Sequence, residues 1–359
     1  MSNDQSLMER VEVPAIPEEV QSKIANLQQA FIRAEVEQLR NSVKLLNPLF
    51  KKREEIINNP SIKDDFWVRV FSAAPAEIDE YILPTDANIL GAALKGLNVE
   101  RFEVNEKGEG EPRSLRFTFT FADKNDYFEN QQLVKEFYWR KHITRTASGR
   151  RRTWEGLVSD PVRINWKEGQ DVTKGLLDAV CDLFDAEKKG GERTELPEYR
   201  ALVEKLTELE SEGMNDEDDD EDEEDEGSAG PSFFNWFGYR GHEVTAEQSE
   251  EANKEDEERW VKITKGEKVE DEDEEDDDED DEDLIDELED CEAFPNGEEV
   301  AIAFAEDLWT DAMKYYVQSF EMGDELDDLD MDELEGMMHH EHEHGDDCDH
   351  SHPRKKVRI

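Results

Sequence analysis

The spacing of apolar positions over residues 16–58 predicts one long helix, because Val, Ile, Leu and Phe recur there every three or four residues. Two apolar stripes follow each other along this helix, with a change of phase between them. The first stripe holds Val20, Ile24, Leu27 and Phe31, and the second holds Val43, Leu46 and Phe50. Heptad-like spacing of this length is typical of a coiled coil, so these seven residues form the predicted dimer interface. The alternative is that the helix packs only on its own domain, and Pro48 is expected to bend or end it.

Beyond residue 96 the apolar period changes from that of a helix to that of a strand. The stretches LNVERFEV (97–104) and SLRFTFTFA (114–122) alternate apolar and polar residues. This alternation places Phe117, Phe119 and Phe121 on one face of a strand. Two further strands are expected on either side of a basic tip at 145–152. The pattern therefore predicts a small antiparallel sheet.

Helical spacing returns after a further short strand, VRINWKEG (162–169). Residues 173–189 and 196–212 each predict a helix with one apolar face. Together with the sheet they predict an α+β domain over residues 59–240, which includes an acidic loop at 214–230.

Two apolar segments lie farther along the chain, between polar stretches. SFFNWF (232–237) is an aromatic cluster that is expected to pack on the domain through Phe233–Phe237 and to anchor the start of an acidic tail. Residues 298–321 predict one amphipathic helix, because apolar side chains recur at intervals of three and four. Its role stays open at this stage: it could dock on the domain or recruit a partner.

Charge changes this picture, because the chain of 359 residues carries a formal net charge of −55 that is unevenly distributed. Residues 1–213 hold 31 Lys and Arg against 39 Asp and Glu, a net of −8, whereas the remainder holds 11 against 58, a net of −47. Mutual repulsion without apolar burial opposes folding of such segments. We therefore expect disorder in residues 1–15 and in an acidic C-terminal region, 241–359.

Two uninterrupted acidic runs, 216–226 and 270–283, indicate a strongly basic partner. Binding such a partner releases counterions from both chains, and histones are the most abundant polybasic intracellular proteins. The predicted contact residues in the runs are Asp216, Glu217, Asp218, Asp219, Asp220, Glu221, Asp222, Glu270, Asp271, Glu272, Asp273, Glu274, Glu275 and Asp276. The alternative is a passive acidic buffer that only keeps the chain soluble.

Signatures of catalysis and of cofactor binding are missing from the sequence. It has no phosphate-binding loop, no GxGxxG and no GxSxG. HEHEH (340–344) satisfies H-E-x-x-H, but it lies in a low-complexity His-rich tract where such a match arises by chance. The three cysteines fit neither a disulfide framework nor a CxxC metal site. We expect no enzyme activity, no catalytic residue, no cofactor and no specific metal site.

The basic end PRKKVRI (353–359) is typical of a nuclear import signal, with Arg354, Lys355, Lys356 and Arg358 as its cations. It predicts an import receptor as a partner and a nuclear protein that could also shuttle to the cytoplasm. The N-terminus carries no apolar signal region, and no apolar run is long enough to span a bilayer. No membrane partner is expected. The basic tip at 145–152 allows a weak contact with DNA.

Four ordered blocks of this sequence resemble the nucleosome assembly protein (NAP/SET) family. They are residues 47–71, from NPLFKK to FWVRVF; residues 114–139, with N-x-Y-F-x-N at Asn125, Tyr127, Phe128 and Asn130 next to their centre; residues 162–175, with W-K-x-G at Trp166, Lys167 and Gly169; and SFFNWF at 232–237. The stretch LVKEFYW and Trp236 look more like the SET branch of that family. The helix at 298–321 has no counterpart in the resemblance.

The resemblance implies a homodimer that binds core histones and deposits them on DNA without ATP. Each protomer would carry a long dimerisation helix and a domain with a four-stranded antiparallel sheet. Histones would contact the underside of the domain, where Glu168 and Asp171 are candidates, together with the acidic tail. SET-branch members also resemble inhibitors of a protein phosphatase, which gives the alternative function: a regulatory inhibitor that acts through the acidic tail.

Overall fold

The first element of the structure is a 40-residue helix, α1 (Glu18–Ile57), which confirms the predicted long helix. The computed structural model of the protein describes residues 16–145, 151–215, 231–267 and 291–328. Pro48 lies inside α1, which continues for nine residues beyond it, so the helix does not end there. The predicted disordered stretch at 1–15 lies outside the described residues.

The two apolar stripes of α1 differ in phase as the sequence shows, and they lie on two faces of one uninterrupted helix. At about 100° per residue, the first stripe falls within an arc of about 60°, and Leu45, Leu49 and Ile56 fall within the same arc. Side chains along this arc are exposed, from 42% at Val20 to 72% at Leu45. The second stripe lies roughly 100° away around the helix.

The second stripe faces the domain of its own chain, which corrects its assignment to the dimer interface. Val43 is buried and Leu46 is half-buried. The Phe50 ring lies 5.3 Å from the ring of Trp309, which belongs to the C-terminal part of the domain. The alternative interpretation, packing on its own domain, therefore holds for Val43, Leu46 and Phe50, whereas the first stripe stays exposed in the single chain.

The predicted antiparallel sheet is confirmed, with four strands in the order β1-β2-β3-β4. The strands are β1 (Leu94–Glu100), β2 (Leu115–Phe121), β3 (Gln132–Arg145) and β4 (Arg151–Ser159). Every neighbouring pair is antiparallel, and Val99 pairs with Phe117. The short strand expected at 162–169 is reduced to a single bridge between Phe128 and Trp166.

Helices precede and follow the sheet. Between α1 and β1 lie α2 (Phe66–Ser72), α3 (Ala76–Asp79) and α4 (Pro84–Ala93). After the sheet come α5 (Leu176–Glu187), α6 (Pro197–Asn215), a 3-10 turn (Phe233–Gly238) and α7 (Ala246–Thr264). The last described elements are α8 (Gly297–Ala303), a π-helical segment (Phe304–Leu308) and α9 (Ala312–Asp328).

Aromatic side chains from three distant parts of the sequence form the main core. Phe117 and Phe119 project from the inner face of β2, as their alternation predicts. The Trp236 ring lies 5.2 Å from the ring of Phe117 and 5.6 Å from that of Phe304. The expected packing of the Phe233–Phe237 cluster on the domain is therefore confirmed, because all five residues are buried.

The folded domain continues past the predicted boundary at residue 240 as far as α9. Phe304 and Leu308 are fully buried in the main core, and the Tyr316 ring stacks on Phe66 of α2 at 4.7 Å. These aromatic contacts explain why residues 291–328 belong to the domain and not to an acidic tail. The helix expected at 298–321 docks on the domain as three consecutive segments and not as one helix.

Candidate functional site

The strongest sequence candidates lie outside the described residues. These are the runs 216–226 and 270–283, together with the import signal at 354–358. The structure describes the residues on both sides of each acidic run, which we call the roots of the run. The first run lies between α6 and the 3-10 turn, and the second lies between α7 and α8.

Asp86 of α4 holds the root at which the chain resumes after the first run. Its Oδ1 accepts a hydrogen bond from Ser232 Oγ at 2.6 Å, and its Oδ2 accepts one from the Phe233 backbone N at 2.7 Å. Asp86 is fully buried, and burial raises the pKa of its carboxyl in spite of these hydrogen bonds. The first run is therefore joined at both ends to packed elements.

Glu292 holds the corresponding root after the second run. Its Oε2 accepts hydrogen bonds from the backbone N atoms of Arg240 and Gly241, each at 3.0 Å. Burial raises the pKa of this carboxyl as well. The neighbouring Ala293 is buried in a second, smaller core with α5 and α6. The second run thus lies between two described parts of the domain, and the root on its C-terminal side is fixed.

Lys135 of β3 stabilises the short segment between the two roots. Its Nζ donates hydrogen bonds to the backbone oxygens of Asp160 at 2.9 Å, Phe237 at 3.0 Å and Tyr239 at 2.6 Å. The side chain is fully buried, and this burial lowers the pKa of Lys135 to about 7. One ammonium group therefore fixes the chain on the C-terminal side of the aromatic cluster.

The two predicted contact residues of the folded domain have different surroundings. Asp171 accepts hydrogen bonds from the Thr173 backbone N at 2.9 Å, from Thr173 Oγ1 at 2.6 Å and from the Gly175 backbone N at 2.9 Å. Its carboxylate thus stabilises the turn before α5. Glu168 is exposed three residues earlier and makes no hydrogen bond or ion pair within the described ranges. Glu168 is the better placed of the two for an external partner.

An acidic row on α5 continues from this turn. Asp178 is half-buried, and Asp182 and Asp185 are exposed; their intervals of four and three residues place all three on one face of the helix. Arg163 lies within 4 Å of all three carboxylates, at 2.8, 2.6 and 3.7 Å. One cation faces three anions, so the row keeps a negative charge.

Helix α7 is an acidic surface that the sequence analysis missed, because it was assigned to an acidic tail. Seven acidic residues face three basic ones over Ala246–Thr264. Its inner side is fixed by Asp256, which lies 2.8 Å from Arg33 Nη2 and 3.1 Å from Lys141 Nζ. Glu257 is exposed but pairs with Arg33, and the other exposed glutamates are Glu247, Glu250, Glu251 and Glu258. A capping box was the signal for this helix: Thr245 Oγ1 accepts from Gln248 N, and Gln248 Oε1 from Thr245 N.

These features describe a surface for electrostatic binding. Within the part of the chain that the structure describes, no group of three His, Cys, Asp or Glu side chains is arranged to hold a metal ion. No helix among the described ranges is long and apolar enough to cross a membrane. The HEHEH match at 340–344 lies outside those ranges. What the described surface offers to a partner is the exposed carboxylates of α5 and α7.

Comparison with protein families decides the assignment. The family model described as "Nucleosome assembly protein (NAP)" matches residues 59–319, which is more than half of the chain. The chain belongs to the nucleosome assembly protein family. The match includes α8, the π-helical segment and the first eight residues of α9, so the C-terminal elements that extend the domain past residue 240 fall largely within the family match.

Relatives in this family share about a third of their aligned residues with the chain. A Schizosaccharomyces pombe protein named as a nucleosome assembly protein is 36% identical over 164 residues, which are 45% of this chain and 63% of that protein. Protein SET of Drosophila melanogaster is 35% identical over 142 residues, 40% of this chain and 45% of its own length. The alignments thus cover less than two thirds of either relative.

Solved structures of similar chains match at modest scores. The crystal structure of Ccp1 is 26% identical and covers 84% of this chain and 96% of Ccp1, with a TM-score of 0.46. The crystal structure of Vps75 is 17% identical and covers 84% of this chain and 98% of Vps75, with a TM-score of 0.45.

Proposed function

We propose that the protein is a histone chaperone that promotes nucleosome assembly and disassembly without ATP. The observation that carries this proposal is the pair of acidic runs, eleven and fourteen residues long, that are joined at both ends to one folded domain. Family membership supports the same function, since the family is named for nucleosome assembly.

Electrostatics supplies the mechanism. A basic protein that contacts the runs and the exposed glutamates of α7 exchanges its counterions for carboxylates, and the released ions favour binding. Histones held in this way are shielded from non-specific contact with DNA, and DNA of higher charge density can then take them up. Transfer driven by competition between polyanions requires neither a catalytic residue nor a cofactor.

The exposed apolar face of α1 supports a homodimer. Val20, Ile24, Leu27 and Phe31 lie on the same arc as Leu45, Leu49 and Ile56, and this arc runs along a helix of about 60 Å. Such a continuous exposed stripe fits the same stripe of a second copy. Two α1 helices would then hold two acidic domains on one particle, and both pairs of core histones would meet a bivalent surface.

The chain is proposed to act in the nucleus, with possible shuttling through the cytoplasm. Arg354, Lys355, Lys356 and Arg358 would be recognised by an import receptor. A weak DNA contact is proposed for the basic tip at 145–152. Arg145 and Arg151 at its base both form ion pairs with Glu255 of α7, which limits the positive charge available there.

Histone binding by the full chain tests this function. The central variant replaces Asp by Asn and Glu by Gln across 216–226 and 270–283, and the control variant makes the same replacements at the nine acidic residues of 329–349. At about 0.15 M salt we expect the central variant to lose at least tenfold in affinity for both core histone pairs, and the control to lose less.

Two further measurements complete the test. Plasmid supercoiling without ATP should show histone deposition by the full chain and a lower yield with the central variant. The proposal fails if polylysine competes as well as histones do, or if the central variant binds both histone pairs as tightly as the original chain.

A further inference from the structure

A polar groove of about 650 Å³ lies between α1 and the first strand of the sheet. One wall is formed by the C-terminal half of α1, including Asn47, Lys51 and Asn58. The other wall is formed by Lys95–Glu100 of β1 and by Arg101 and Phe102 after it, and Arg116, Thr118 and Thr120 of β2 also line the groove. Successive side chains of a strand point to opposite faces, so an unbroken row of lining residues from β1 means that the groove reaches the strand's edge. The alternate residues from β2 show that it also extends over the outer face of the sheet.

That edge of β1 is open. β1 pairs with β2 on one side, and no strand of the described part of the chain pairs with its other side. An open edge presents unpaired backbone N–H and C=O groups, which are a template for an extended peptide. Grooves between a helix and an edge strand are a recurrent way of binding such peptides.

The groove is also positively charged, which is unusual in a chain with a net charge of −55. Lys51, Lys63 and Lys95 line it and are exposed, and none of them forms an ion pair with a described residue. Lys95 Nζ makes one long contact, 3.4 Å from the Asp64 backbone oxygen. Only two carboxylates line the same groove, those of Glu54 and Glu100.

The remaining cations of the groove are already paired. Arg116 Nε lies 2.6 Å from Glu136, and Arg101 Nη2 lies 3.1 Å from Glu306. The three lysines therefore carry the unpaired positive charge, and they would favour an acidic occupant.

Apolar rings form part of the same groove. Phe50, Trp67 and Trp309 line it, and the rings of Trp67 and Trp309 are stacked at 5.7 Å. A peptide that combines acidic and aliphatic side chains could therefore place carboxylates near the lysines and apolar groups on the rings. The groove thus selects for a mixed acidic and apolar sequence rather than for charge alone.

We propose that this groove binds the acidic segment of the same chain that follows α9, residues 329–349. The segment contains nine acidic residues together with five Leu and Met residues. It begins where α9 ends, and α9 packs on α2, the helix that supplies Trp67. Twenty-one residues can extend to about 70 Å, which exceeds the length of α9 more than twofold.

Tethering favours this occupant over DNA. A segment on the same chain reaches the groove at a high effective concentration, on the order of millimolar for a short flexible connection. DNA would have to approach a molecule whose acidic runs repel it. Binding of the segment would neutralise the three lysines and cover the open edge of β1. This inference concerns only the chain itself and does not depend on histone binding.

Cross-linking of the full chain gives a direct test. A zero-length carbodiimide reagent joins a Lys Nζ to a carboxylate only when the two are in contact, and mass spectrometry identifies the joined residues. We expect Lys51, Lys63 and Lys95 to be joined to acidic residues within 329–349 at about 0.05 M salt. We expect the yield to fall several-fold at about 0.3 M salt, because exposed charge pairs are screened.

Mobility of the segment is the second measurement, with a fluorophore on Cys348 in a Cys291→Ala background. The groove variant combines Lys51→Glu, Lys63→Glu and Lys95→Glu. The matched control combines Lys124→Glu, Lys189→Glu and Lys254→Glu, three exposed lysines that do not line the groove. Fluorescence anisotropy should fall in the groove variant to the value that the original chain shows at high salt, and the control should keep the original value.

Three results would overturn the proposal. The first is the absence of cross-links between the groove lysines and 329–349, including the case in which the same lysines are joined to carboxylates of α1 or of 270–283. The second is equal anisotropy in the groove and control variants. The third is tenfold weaker binding of a 20-base-pair duplex by the groove variant with unchanged anisotropy, which would make the groove a DNA site.

Discussion

Lys135 is a buried charge that fixes the chain between the two roots, and it is not itself part of the acidic surface. Its ammonium group satisfies three backbone oxygens, two of which belong to the segment between the roots of the acidic runs. A charged group so completely removed from water raises the free energy of the folded state unless its hydrogen bonds offset the lost hydration. The consequence is a pH dependence that can be assigned to a single residue.

The first prediction concerns that pH dependence. The pKa of Lys135 falls from about 10.4 in an unfolded chain to about 7 in the folded one. Between these values the unfolded chain binds more protons, so the free energy of unfolding rises with pH. We expect the original chain to gain about 2 kcal/mol relative to Lys135→Met between pH 7 and pH 9.

Urea unfolding of both proteins at several pH values, at one fixed protein concentration, measures this gain. Since the remaining titrating groups are common to both proteins, their contributions cancel in the difference. Parallel pH curves for the original chain and Lys135→Met would show that the proton of Lys135 is retained throughout.

At the scale of the helix, α1 shows what a sequence pattern can and cannot establish. Its existence and its bounds followed from the apolar spacing. The division of its apolar residues into an exposed face and a domain-facing one did not, because Val43 and Phe50 resemble Leu27 and Phe31 in type. Only the position of distant residues such as Trp309, 259 residues after Phe50, distinguishes the two faces.

The same limit applies to the C-terminal elements. The aromatic cluster at 233–237 was predicted to pack on the domain, because four aromatic side chains in a polar region need burial. The docking of α8 and of the π-helical segment was left open, since the acidic residues around Phe304 and Leu308 conceal the core residues in any average of composition. Buried and charged residues lie next to one another there, so the average composition of the stretch does not reveal which residues are buried.

The exposed face of α1 leads to a prediction about assembly. Phe31→Asp places a charge in the middle of the apolar arc, where pairing with a second helix would bury it. We expect the dimer dissociation constant to rise by at least two orders of magnitude. Sedimentation velocity over a range of protein concentrations measures the change.

A matched variant controls for a general effect of the charge on the helix. Ala25→Asp introduces the same side chain at an exposed position about 120° around the helix from Phe31. It should leave the dissociation constant within a few-fold of the original. Equal dimerisation of both variants would show that the arc is not the interface.

At the scale of the whole molecule, the long acidic runs and the packed aromatic core lie in different stretches of the sequence. The second acidic run is inserted between two helices of the domain, and its root at Glu292 is fixed by the backbone of residues 240–241. We expect an insertion held in this way to add charge without adding to the core. Folding and binding can therefore be altered separately.

A replacement experiment tests this separation. The variant replaces residues 268–290 by a Gly/Ser segment of equal length. The number of residues between α7 and α8 stays the same, so the entropy lost on closing this loop is also the same. We expect the free energy of unfolding to change by less than about 1 kcal/mol, whereas histone affinity and its salt dependence both fall.

Urea unfolding and histone binding at two salt concentrations measure the two properties on the same protein. A loss of several kcal/mol would mean that the acidic segment itself contributes to the folded domain. Unchanged histone affinity would place the binding charge elsewhere, in the first acidic run or on α5 and α7.

Packing on both sides of the second acidic run should make the covalent link between α7 and α8 dispensable once the chain has folded. Phe304, Leu308 and Tyr316 lie on the C-terminal side of the second acidic run and belong to a core that it shares with the N-terminal side, where Phe304 contacts Phe117 and Tyr316 contacts Phe66. A protease that cut within 270–283 would leave two polypeptides held together by one shared aromatic core. The intact molecule would then correspond to two complementary fragments. A cut within 270–283 would leave each part of the acidic run attached at one end only, while the two fragments stayed associated.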